Sequence, residues 1–526
     1  MNRTAAIPIG VFTLLVATRA SGAPAPELPH LVTDGGGATR LQVAGKPFTV
    51  LGGELGNSNA SNHEQTRQLF ANVAKMKLNT VLLPVSWELI EPAEGKWSFD
   101  LVTNLIREAR RQKLHLVLLW FGSWKNGMSS YVPAWVKTDP VRFPRAEMAG
   151  GRRVEALSAF APANVQADAR AFAELMRRVR AVDGNDHTVL MVQVENEVAM
   201  IDEAADRSAA ARAAFAAPVP KDLLARFPGK QPGSWEQVFG RGTAAEEMFM
   251  AWHYATYVEV VARAGKAVYP LPMLTNAALN RPGKQPGQYP SGGPLPHLFE
   301  AWKTAAPSLD LLAPDIYLPD FAAWCDRYQR PGNPLFIPEA RNEADAAVHA
   351  LYAIGRGALG FSPFAIETMA EAPAAALTRS YATLADLAPV IAAGGGAGKT
   401  AGVLFDKEHP KTTLRFGDLE LTAAHDYTFE WASPARLDPT WPRAGGIIVP
   451  IGPDEFIIAG NGVIVTFAAA DAKLATGIER VDEGHVAAGK FVATRRLNGD
   501  ETHQGRQLRL PMGALGVQRV KIYRFK

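Results

Sequence analysis

Two acidic side chains stand at the ends of short apolar runs and could perform acid–base and nucleophilic chemistry together. Glu197 follows the apolar run 189–192 after four intervening residues, and Glu339 ends the run 335–338. A carboxylate at the end of a buried strand is costly unless it has a partner or a task. Two carboxyl groups flanking a pocket are the minimum apparatus for cleaving a glycosidic bond, because one can protonate the departing oxygen while the other attacks the anomeric carbon.

The triplet Glu195-Asn196-Glu197 predicts a crowded acidic site. On an extended strand, residues 193, 195 and 197 share one face, so we expect two carboxyls and an amide to point into the same space. Crowding raises the pKa of a carboxyl group, as a general acid near neutral pH requires. The alternative is that these acids form a structural network or lie on a solvated loop, and that Glu339 pairs with Arg341.

Eight short apolar runs with strand composition alternate with stretches of helical period between residues 45 and 390. They are 48–51, 80–85, 114–120, 188–194, 270–275, 309–316, 335–337 and 358–361. Repeated βα units with eight strands predict an α/β fold, a closed parallel (β/α)8 TIM barrel. Long insertions at 121–162 and 202–242 follow the third and fourth strands, so they belong to the carboxyl face on which such barrels build their sites.

The predicted domains are a signal peptide at 1–23, a catalytic barrel at 24–391 and an accessory β-sandwich at 399–526. The first 23 residues contain Arg3, a short apolar stretch and then small residues, which is the order of a secretory signal. The apolar stretch is too short to span a membrane, and the alternative is a plain N-terminal tail. A Gly-rich break at 392–398 precedes the last domain, for which a split or swapped part of the barrel is the alternative.

A strong turn signal lies inside the predicted sandwich. The strand-like runs 455–458 and 463–467 are joined through Gly460, Asn461 and Gly462. Two strand-like runs separated by Asn-Gly predict a β-hairpin.

Composition and charge narrow the classes of partner. The chain has 47% hydrophobic and 20% charged residues, as an ordinary globular protein does. Loss of the signal peptide would lower the formal charge of +3 by two, which gives no reason to bind nucleic acid or to insert into a membrane. Cys325 is the single cysteine, so an intrachain disulfide is excluded, and an exported protein without one fits a bacterial periplasm.

The sequence contains none of the motifs that identify three other enzyme classes. Neither a phosphate loop, nor a His-Glu-x-x-His helix, nor a Gly-x-Ser-x-Gly elbow occurs. Chemistry by two carboxyl groups requires no metal and no cofactor. Homodimer formation is compatible with the sequence.

A third motif supports the same chemistry through a resemblance. The stretch from Ser86-Trp87-Glu88 to Pro92, followed by residues 95–100, resembles the second strand and following turn of clan A glycosidases, in particular glycoside hydrolase family 35 and its relative family 42. The triplet at 195–197 and the Ile-Pro-Glu strand end resemble the acid/base and nucleophile motifs of that clan. The resemblance spans residues 45–390 and implies a retaining β-galactosidase in which Glu197 is the acid/base and Glu339 the nucleophile.

Further side chains are expected to bind the sugar. The resemblance gives Asn196 the role of the amide that holds the sugar 2-hydroxyl. Aromatic rings after barrel strands offer flat apolar faces to a pyranose, and amides can both donate to and accept from hydroxyl groups. On these grounds the other candidate sugar-binding residues are Asn57, Asn59, Trp120, Trp124, Asn126 and Tyr317. For each aromatic ring, packing in the core is the alternative.

Two departures from family 35 fall on the residues expected to read the sugar. The first strand leads into Glu54-Leu55-Gly56-Asn57 where the family has a His-Tyr pair. The third strand leads into residues 123–126, Ser-Trp-Lys-Asn, where the family has Cys-Ala-Glu-Trp, whose Glu helps to bind galactose. These changes leave the two catalytic carboxyls untouched and bear on sugar specificity.

The resemblance also implies a class of substrate. A bacterial subgroup of family 35 with a C-terminal β-domain includes enzymes that trim galactose from xyloglucan. The expected partner is therefore a carbohydrate, and the expected activity is removal of terminal β-D-galactose from oligo- or polysaccharides. The alternatives are a glycosidase for a glucoside, arabinoside or mannoside, and a non-catalytic barrel that binds polysaccharide.

Overall fold

The computed structural model describes residues 27–393, 399–429 and 440–526. The predicted signal peptide and the glycines at 394–396 lie outside the described residues. No described helix combines the length and the apolar character needed to cross a bilayer.

Eight parallel strands close into a barrel, as the sequence predicts. The strands of this part of the chain are β1 (His30–Thr33), β2 (Thr39–Val43), β3 (Lys46–Phe48), β4 (Val50–Glu54), β5 (Thr80–Ser86), β6 (His115–Phe121), β7 (Arg145–Glu147), β8 (Arg153–Leu157), β9 (Val189–Val194), β10 (Met273–Ala278), β11 (Leu311–Ile316), β12 (Ile337–Ala340) and β13 (Gly360–Pro363). The barrel order is β4-β5-β6-β9-β10-β11-β12-β13, and β13 pairs back with β4. Each of the eight predicted runs overlaps one barrel strand.

Helices cover the barrel and fill its long insertions. They are α1 (His63–Lys75), α2 (Trp87–Ile90), α3 (Asp100–Arg111), α4 (Ala134–Lys137), α5 (Pro162–Asp183), α6 (Ala209–Ala216), α7 (Lys221–Leu224), α8 (Trp235–Phe239), α9 (Thr243–Lys266), α10 (Phe299–Ala305), α11 (Phe321–Tyr328), α12 (Ala346–Gly355) and α13 (Glu371–Ala393). Asn62 caps α1 by accepting a hydrogen bond from the Gln65 backbone N–H at 3.0 Å. The insertion after β6 contains α4 and the β7-β8 hairpin, and the insertion after β9 contains α6 to α8.

The alternation of side chains along the strands determines which residues face the barrel interior. Val50 on β4 and Leu311 on β11 belong to the apolar cluster that fills the interior. Side chains two and four positions further along a strand share the same face. Glu54 and Asp315 therefore point inward at the carboxyl ends of these two strands, and both are buried.

The C-terminal part is an all-β sandwich. Its strands are β14 (Ala401–Phe405), β15 (Lys411–Phe416), β16 (Leu419–His425), β17 (Ala444–Gly452), β18 (Glu455–Asn461), β19 (Val463–Ala469), β20 (Ala475–Ala487), β21 (Lys490–Leu497), β22 (Gln507–Leu510) and β23 (Gly516–Phe525). One sheet has the order β14-β17-β18-β23-β20-β21 and the other β15-β16-β19-β22. Both sheets contribute to one apolar core, for example through Ile458 and Val465.

The hairpin predicted around Gly460-Asn461-Gly462 is wrong. β18 pairs with β17 and β23, whereas β19 pairs with β16 and β22 in the opposite sheet. Gly462 has a φ of 72°, so the chain turns sharply there, but the turn carries it from one sheet to the other. The local turn residues determine only where the backbone bends. Which strands pair is decided by the burial of both apolar runs between the two sheets.

The barrel and the sandwich pack against each other through α12, which lies on β14 and β17. Two backbones approach closely at a glycine: a Cβ atom built on Gly402 would lie 2.1 Å from the carbonyl oxygen of Tyr352. Arg443 also spans the contact, with guanidinium nitrogens 3.4 Å from a carboxyl oxygen of Asp345 and 3.1 Å from one of Asp406.

We expect Gly402→Ala to destabilise the protein, because the added methyl group must push apart two backbones that are in contact. Overpacking of this kind costs about 1–3 kcal/mol, which for a chain of this length corresponds to a fall of about 1–3 °C in the thermal unfolding midpoint. Gly499→Ala is the matched control, since a Cβ at Gly499 meets no atom within 4 Å. Equal midpoints for the two variants would show that this contact does not limit stability.

Candidate active site

The two predicted carboxyl groups meet at the carboxyl end of the barrel. Glu339 lies in β12, where its register partner on β11 is Asp315. Glu197 lies in the turn after β9, with a φ of 45°. Carboxyl oxygens of Glu197, Asp315 and Glu339 all lie within 4.8 Å of one another. The structure therefore brings together the pair that sequence motifs selected and adds a third carboxyl group beside it.

Glu195 does not face the same space as Glu197, contrary to the prediction. β9 ends at Val194, and the φ of 60° at Glu195 turns the chain out of the extended conformation. One carboxyl oxygen of Glu195 accepts a hydrogen bond from the Trp124 backbone N–H at 2.7 Å. Burial raises the pKa of Glu195 well above its usual range, and the charge of Asp168 raises it further. The acid that crowds Glu197 is Glu339, not Glu195.

A buried cluster behind the site fixes the loop that follows β6. The carboxyl group of Asp168 accepts hydrogen bonds from the Trp120 indole N–H at 2.8 Å, from the Ser123 backbone N–H at 3.1 Å and from the Ser123 hydroxyl at 2.5 Å. A Cβ at Gly122 would lie 2.5 Å from Oε1 of Glu195 and 2.8 Å from Oδ1 of Asp168. Only glycine lets this loop approach the two acids so closely.

Trp120 and Trp124 do not present their rings to a sugar, so this prediction is wrong. Both indoles are fully buried. Trp120 is held by Asp168, and Trp124 packs edge-to-face against Tyr254 and Tyr257 with ring centroids 5.5 and 4.8 Å apart. The packing alternative holds for both, because Trp120 packs beside Trp87 and Phe172 while the two tyrosines of α9 cover Trp124.

The loop anchored by Asp168 carries Lys125 into the site. Its Nζ lies 4.0 Å from Oε2 of Glu197, and the side chain is 9% exposed. Burial alone would lower the pKa of Lys125, but the attraction of Glu339, Glu197 and further carboxyls outweighs burial and raises it. Lys125 is therefore a cation among acids.

Proton affinities in the site differ from those in water. Burial, followed by the charge of Glu339, raises the pKa of Glu197 to about 7, while Lys125 opposes the rise. Burial also raises the pKa of Glu339, and Lys125 and the Tyr317 hydroxyl oppose it by stabilising the anion. Tyr317 donates a hydrogen bond to Oε1 of Glu339. Glu197 is thus suited to hold a proton near neutral pH, and Glu339 has a cation and a hydroxyl donor for its negative charge.

An amide network positions the turn that bears Glu197. Asn276 accepts a hydrogen bond from the Glu197 backbone N–H at 3.0 Å and donates to Oδ1 of Asn196 at 3.0 Å and to Oδ2 of Asp315 at 2.7 Å. The side chain of Asn196 donates to the carbonyl oxygen of Lys125 at 2.8 Å. Asn196 thereby ties the loop of Lys125 to the turn of Glu197, and its contact with a sugar 2-hydroxyl stays a prediction.

The three asparagines predicted to bind the sugar differ in the partners of their side chains. Asn57 is partly buried, and its Oδ1 has no hydrogen-bond partner among the described residues, so it is available to a ligand. Asn59 donates to Glu367 at 2.6 Å. Asn126 accepts from the backbone N–H groups of Met128 and Ser129 at 3.0 Å each, which uses its carbonyl oxygen to hold its own turn. The prediction that Asn126 reads sugar hydroxyls through that oxygen is therefore not supported.

Sequence reasoning missed four residues of the site: Glu54, Lys125, Asn276 and Asp315. Glu54, Asn276 and Asp315 each stand at or near the end of an apolar run and share its inward parity, which is a signal that the sequence contains. Lys125 had no such signal, because it enters the site only through the fold of its loop.

The oxygens of Glu197, Asp315 and Glu339 are also close enough to share one cation. Lys125 already supplies positive charge there, and two-carboxyl chemistry needs no metal.

Family models match two parts of the chain. Residues 57–227 match a model described as beta-galactosidase, that of glycoside hydrolase family 42. Residues 377–509 match a domain of unknown function, DUF5597. The first match includes β5, β6, β9 and Glu197 but covers less than half of the chain. The match is with family 42, and it does not support family 35, to which the motifs were compared first.

Several solved structures are similar in outline. The β-galactosidase from the psychrophilic Marinomonas ef1 is 14% identical with a TM-score of 0.46, over 65% of this chain and 60% of that one. The β-galactosidase from Rahnella sp. R3 is 14% identical with a TM-score of 0.47, over 66% and 57%. The catalytic domain of a β-amylase from Paenibacillus polymyxa is 10% identical with a TM-score of 0.46, over 62% and 96%.

These likenesses carry no argument about activity, because their TM-scores lie below 0.5. The matched part of the chain spans less than two thirds of the length of both β-galactosidases. No curated protein matches the chain in sequence.

We expect the raised pKa of Glu197 to make stability fall with rising pH. The folded protein holds this proton more tightly than the unfolded chain, so the stabilisation is complete below the unfolded pKa of about 4.3 and is lost as pH rises through about 7. The loss is at most about 4 kcal/mol. Denaturant unfolding of wild type and Glu197→Gln at pH 5 and pH 8 measures it, with the smaller loss expected in the variant.

Glu236→Gln, an exposed change on α8, is the control for this measurement and should keep the pH dependence of the wild type. If Glu197→Gln lost as much stability as the wild type between the two pH values, the proton would reside on another group.

Proposed function

We propose that this chain is a retaining exo-β-galactosidase that removes terminal β-D-galactose from oligo- or polysaccharides by double displacement. The observation that carries the proposal is the approach of the Glu197 and Glu339 carboxyl oxygens to within 4.8 Å. Retaining glycosidases hold their two carboxyl groups about 5–5.5 Å apart, whereas inverting enzymes leave about 6.5–9.5 Å for a water molecule. The spacing supports a covalent route.

In the first step, Glu197 protonates the glycosidic oxygen while Glu339 attacks the anomeric carbon, which breaks the bond to the leaving group and forms a glycosyl ester on Glu339. In the second step, Glu197 takes a proton from water, and the water oxygen displaces Glu339 from the sugar. Lys125 and Tyr317 favour the anionic form of Glu339 in which it attacks and in which it leaves. Desolvation keeps the proton on Glu197 until a glycosidic oxygen is present.

Galactose is supported by the family model that residues 57–227 match, described as beta-galactosidase. Exo action is supported by the size of the insertions after β6 and β9, which stand on the carboxyl face of the barrel and can close one side of the pocket. Xyloglucan side chains are our proposed natural source of the galactose, and a periplasmic location after signal removal is the proposed setting. Product analysis with a galactosylated xyloglucan oligosaccharide tests linkage and mode of action together.

The alternatives are another sugar and a non-catalytic binding protein. A panel of nitrophenyl galactoside, glucoside, arabinoside and mannoside separates the sugars. A barrel that only binds polysaccharide does not need a Glu197 with a raised pKa beside a Glu339 to which Tyr317 donates a hydrogen bond. A 2-fluoro galactosyl donor distinguishes the two classes, since an enzyme gains one covalent glycosyl mass and a binding protein gains none.

We expect Glu339→Gly to abolish turnover of every glycoside, because no covalent intermediate can form. The rate should fall by about 10⁴-fold or more relative to wild type. Initial rates with nitrophenyl glycosides measure this, and mass spectrometry after the 2-fluoro donor should find no added mass on the variant. Hydrolysis at near-normal rates would show that another group is the nucleophile.

We expect Glu197→Ala to slow substrates unevenly. A poor leaving group needs protonation, so its hydrolysis should fall by about 10²–10⁴-fold, whereas a dinitrophenyl glycoside should retain most of its glycosylation rate. A series of aryl glycosides with leaving groups of graded pKa measures the difference. An equal loss over the whole series would contradict the acid role of Glu197.

A further inference from the structure

We propose that Glu54 selects the sugar by accepting a hydrogen bond from one hydroxyl group of the terminal residue. The proposal rests on the proposed function and adds to it the side chain that reads the substrate. Glu54 has no part in the two-step chemistry.

The side chain of Glu54 points into the barrel interior near the site. It is the last residue of β4, on the inward face that begins with Val50 in the interior cluster. Its carboxyl group is close enough to Glu339, Lys125 and Glu197 for the charge of each to change its pKa. Glu54 therefore lies at the carboxyl end of the barrel, among the groups that surround the two catalytic carboxyls.

The carboxyl group of Glu54 is buried without the partner that burial normally demands. Its side chain is 2% exposed, and Oε1 has no hydrogen-bond partner among the described residues. Buried polar atoms are nearly always hydrogen-bonded, because an unsatisfied one costs about 1–3 kcal/mol. A ligand that brings a donor to this oxygen would remove the cost, so binding of that ligand is favoured at this point of the pocket.

The neighbouring atoms indicate the chemistry of the donor. Asn57 Oδ1, Asp315 Oδ1 and Glu339 Oε2 are also buried acceptors without partners. A pocket lined by unpaired acceptors requires a ligand with several donors, and a sugar ring supplies one at each hydroxyl group. One unpaired acceptor could be incidental, but unpaired carboxyl oxygens of Glu54, Asp315 and Glu339 around the same centre match a polyol.

The charges favour a neutral sugar over a charged one. A uronic acid would place a carboxylate, which donates no hydrogen bond, against the unpaired acceptor oxygens of Glu54, Asp315 and Glu339. The ammonium of Lys125 already lies among these acids, so a second cation from an amino sugar would meet repulsion from it. A neutral hexose, whose hydroxyl groups need acceptors and carry no charge, fits both conditions.

The experiment compares each hydroxyl group of the substrate with and without Glu54. Nitrophenyl β-galactoside and its 2-, 3-, 4- and 6-deoxy analogues, or the same series of whichever neutral glycoside is hydrolysed fastest, are assayed with wild type, Glu54→Ala and Glu54→Gln. We expect wild type to prefer the parent over one of the 3-, 4- or 6-deoxy analogues by about 100-fold or more in kcat/KM. In Glu54→Ala that ratio should fall to about one, and in Glu54→Gln it should fall less, because an amide oxygen still accepts.

A purely structural role would lower the parent and all analogues alike and would leave every ratio unchanged. Unchanged ratios in a folded Glu54→Ala or Glu54→Gln protein therefore overturn the proposal. Glu343→Ala, an exposed glutamate on the loop after β12, is the matched control and should keep the ratios of the wild type. If wild type hydrolyses no glycoside of the panel, the proposed function itself fails, which is distinct from an active enzyme whose ratios do not depend on Glu54.

Discussion

The site depends on one ammonium group placed among buried carboxyls. Glu54, Glu197, Asp315 and Glu339 all have raised pKa values, with burial as the largest cause in each case. Without a cation they would resist ionisation together, and no nucleophile would be available near neutral pH. Lys125 lowers the cost of charge on Glu339 while Glu197 keeps its proton. The division of roles between two chemically identical side chains thus comes from their surroundings.

Lys125 reaches that position because its loop is anchored from behind. Asp168 holds Ser123, and Glu195 holds the Trp124 backbone. Burial and mutual charge raise the pKa of Glu195, so the two acids can share a proton and act as a neutral hydrogen-bonding unit. Gly122 permits the approach, since a side chain there would collide with both carboxyl groups. Glu195, the acid nearest to Glu197 in sequence, therefore serves the geometry of the site together with Asp168.

The barrel and the sandwich illustrate how burial overrides local signals. The sequence around Gly462 has the residues of a hairpin turn, yet the two flanking strands enter different sheets because each has an apolar face that the shared core covers. The indoles of Trp120 and Trp124 follow the same rule at the barrel mouth. Their positions after a strand suggested exposure to a ligand, and packing with Asp168 and the tyrosines of α9 buried them instead.

The sequence by itself determined the eight-stranded barrel, the all-β C-terminal part and the candidate pair Glu197 and Glu339. These follow from periodicity and from acidic residues at strand ends, which are local properties of the chain. The tertiary structure decided that Glu195 leaves the site, that Lys125 enters it, and that Glu54 and Asp315 surround the same centre. Which charges become neighbours depends on strands far apart in sequence and on loop conformations, and burial then sets the proton affinity of each group, so neither property can be read from local spacing.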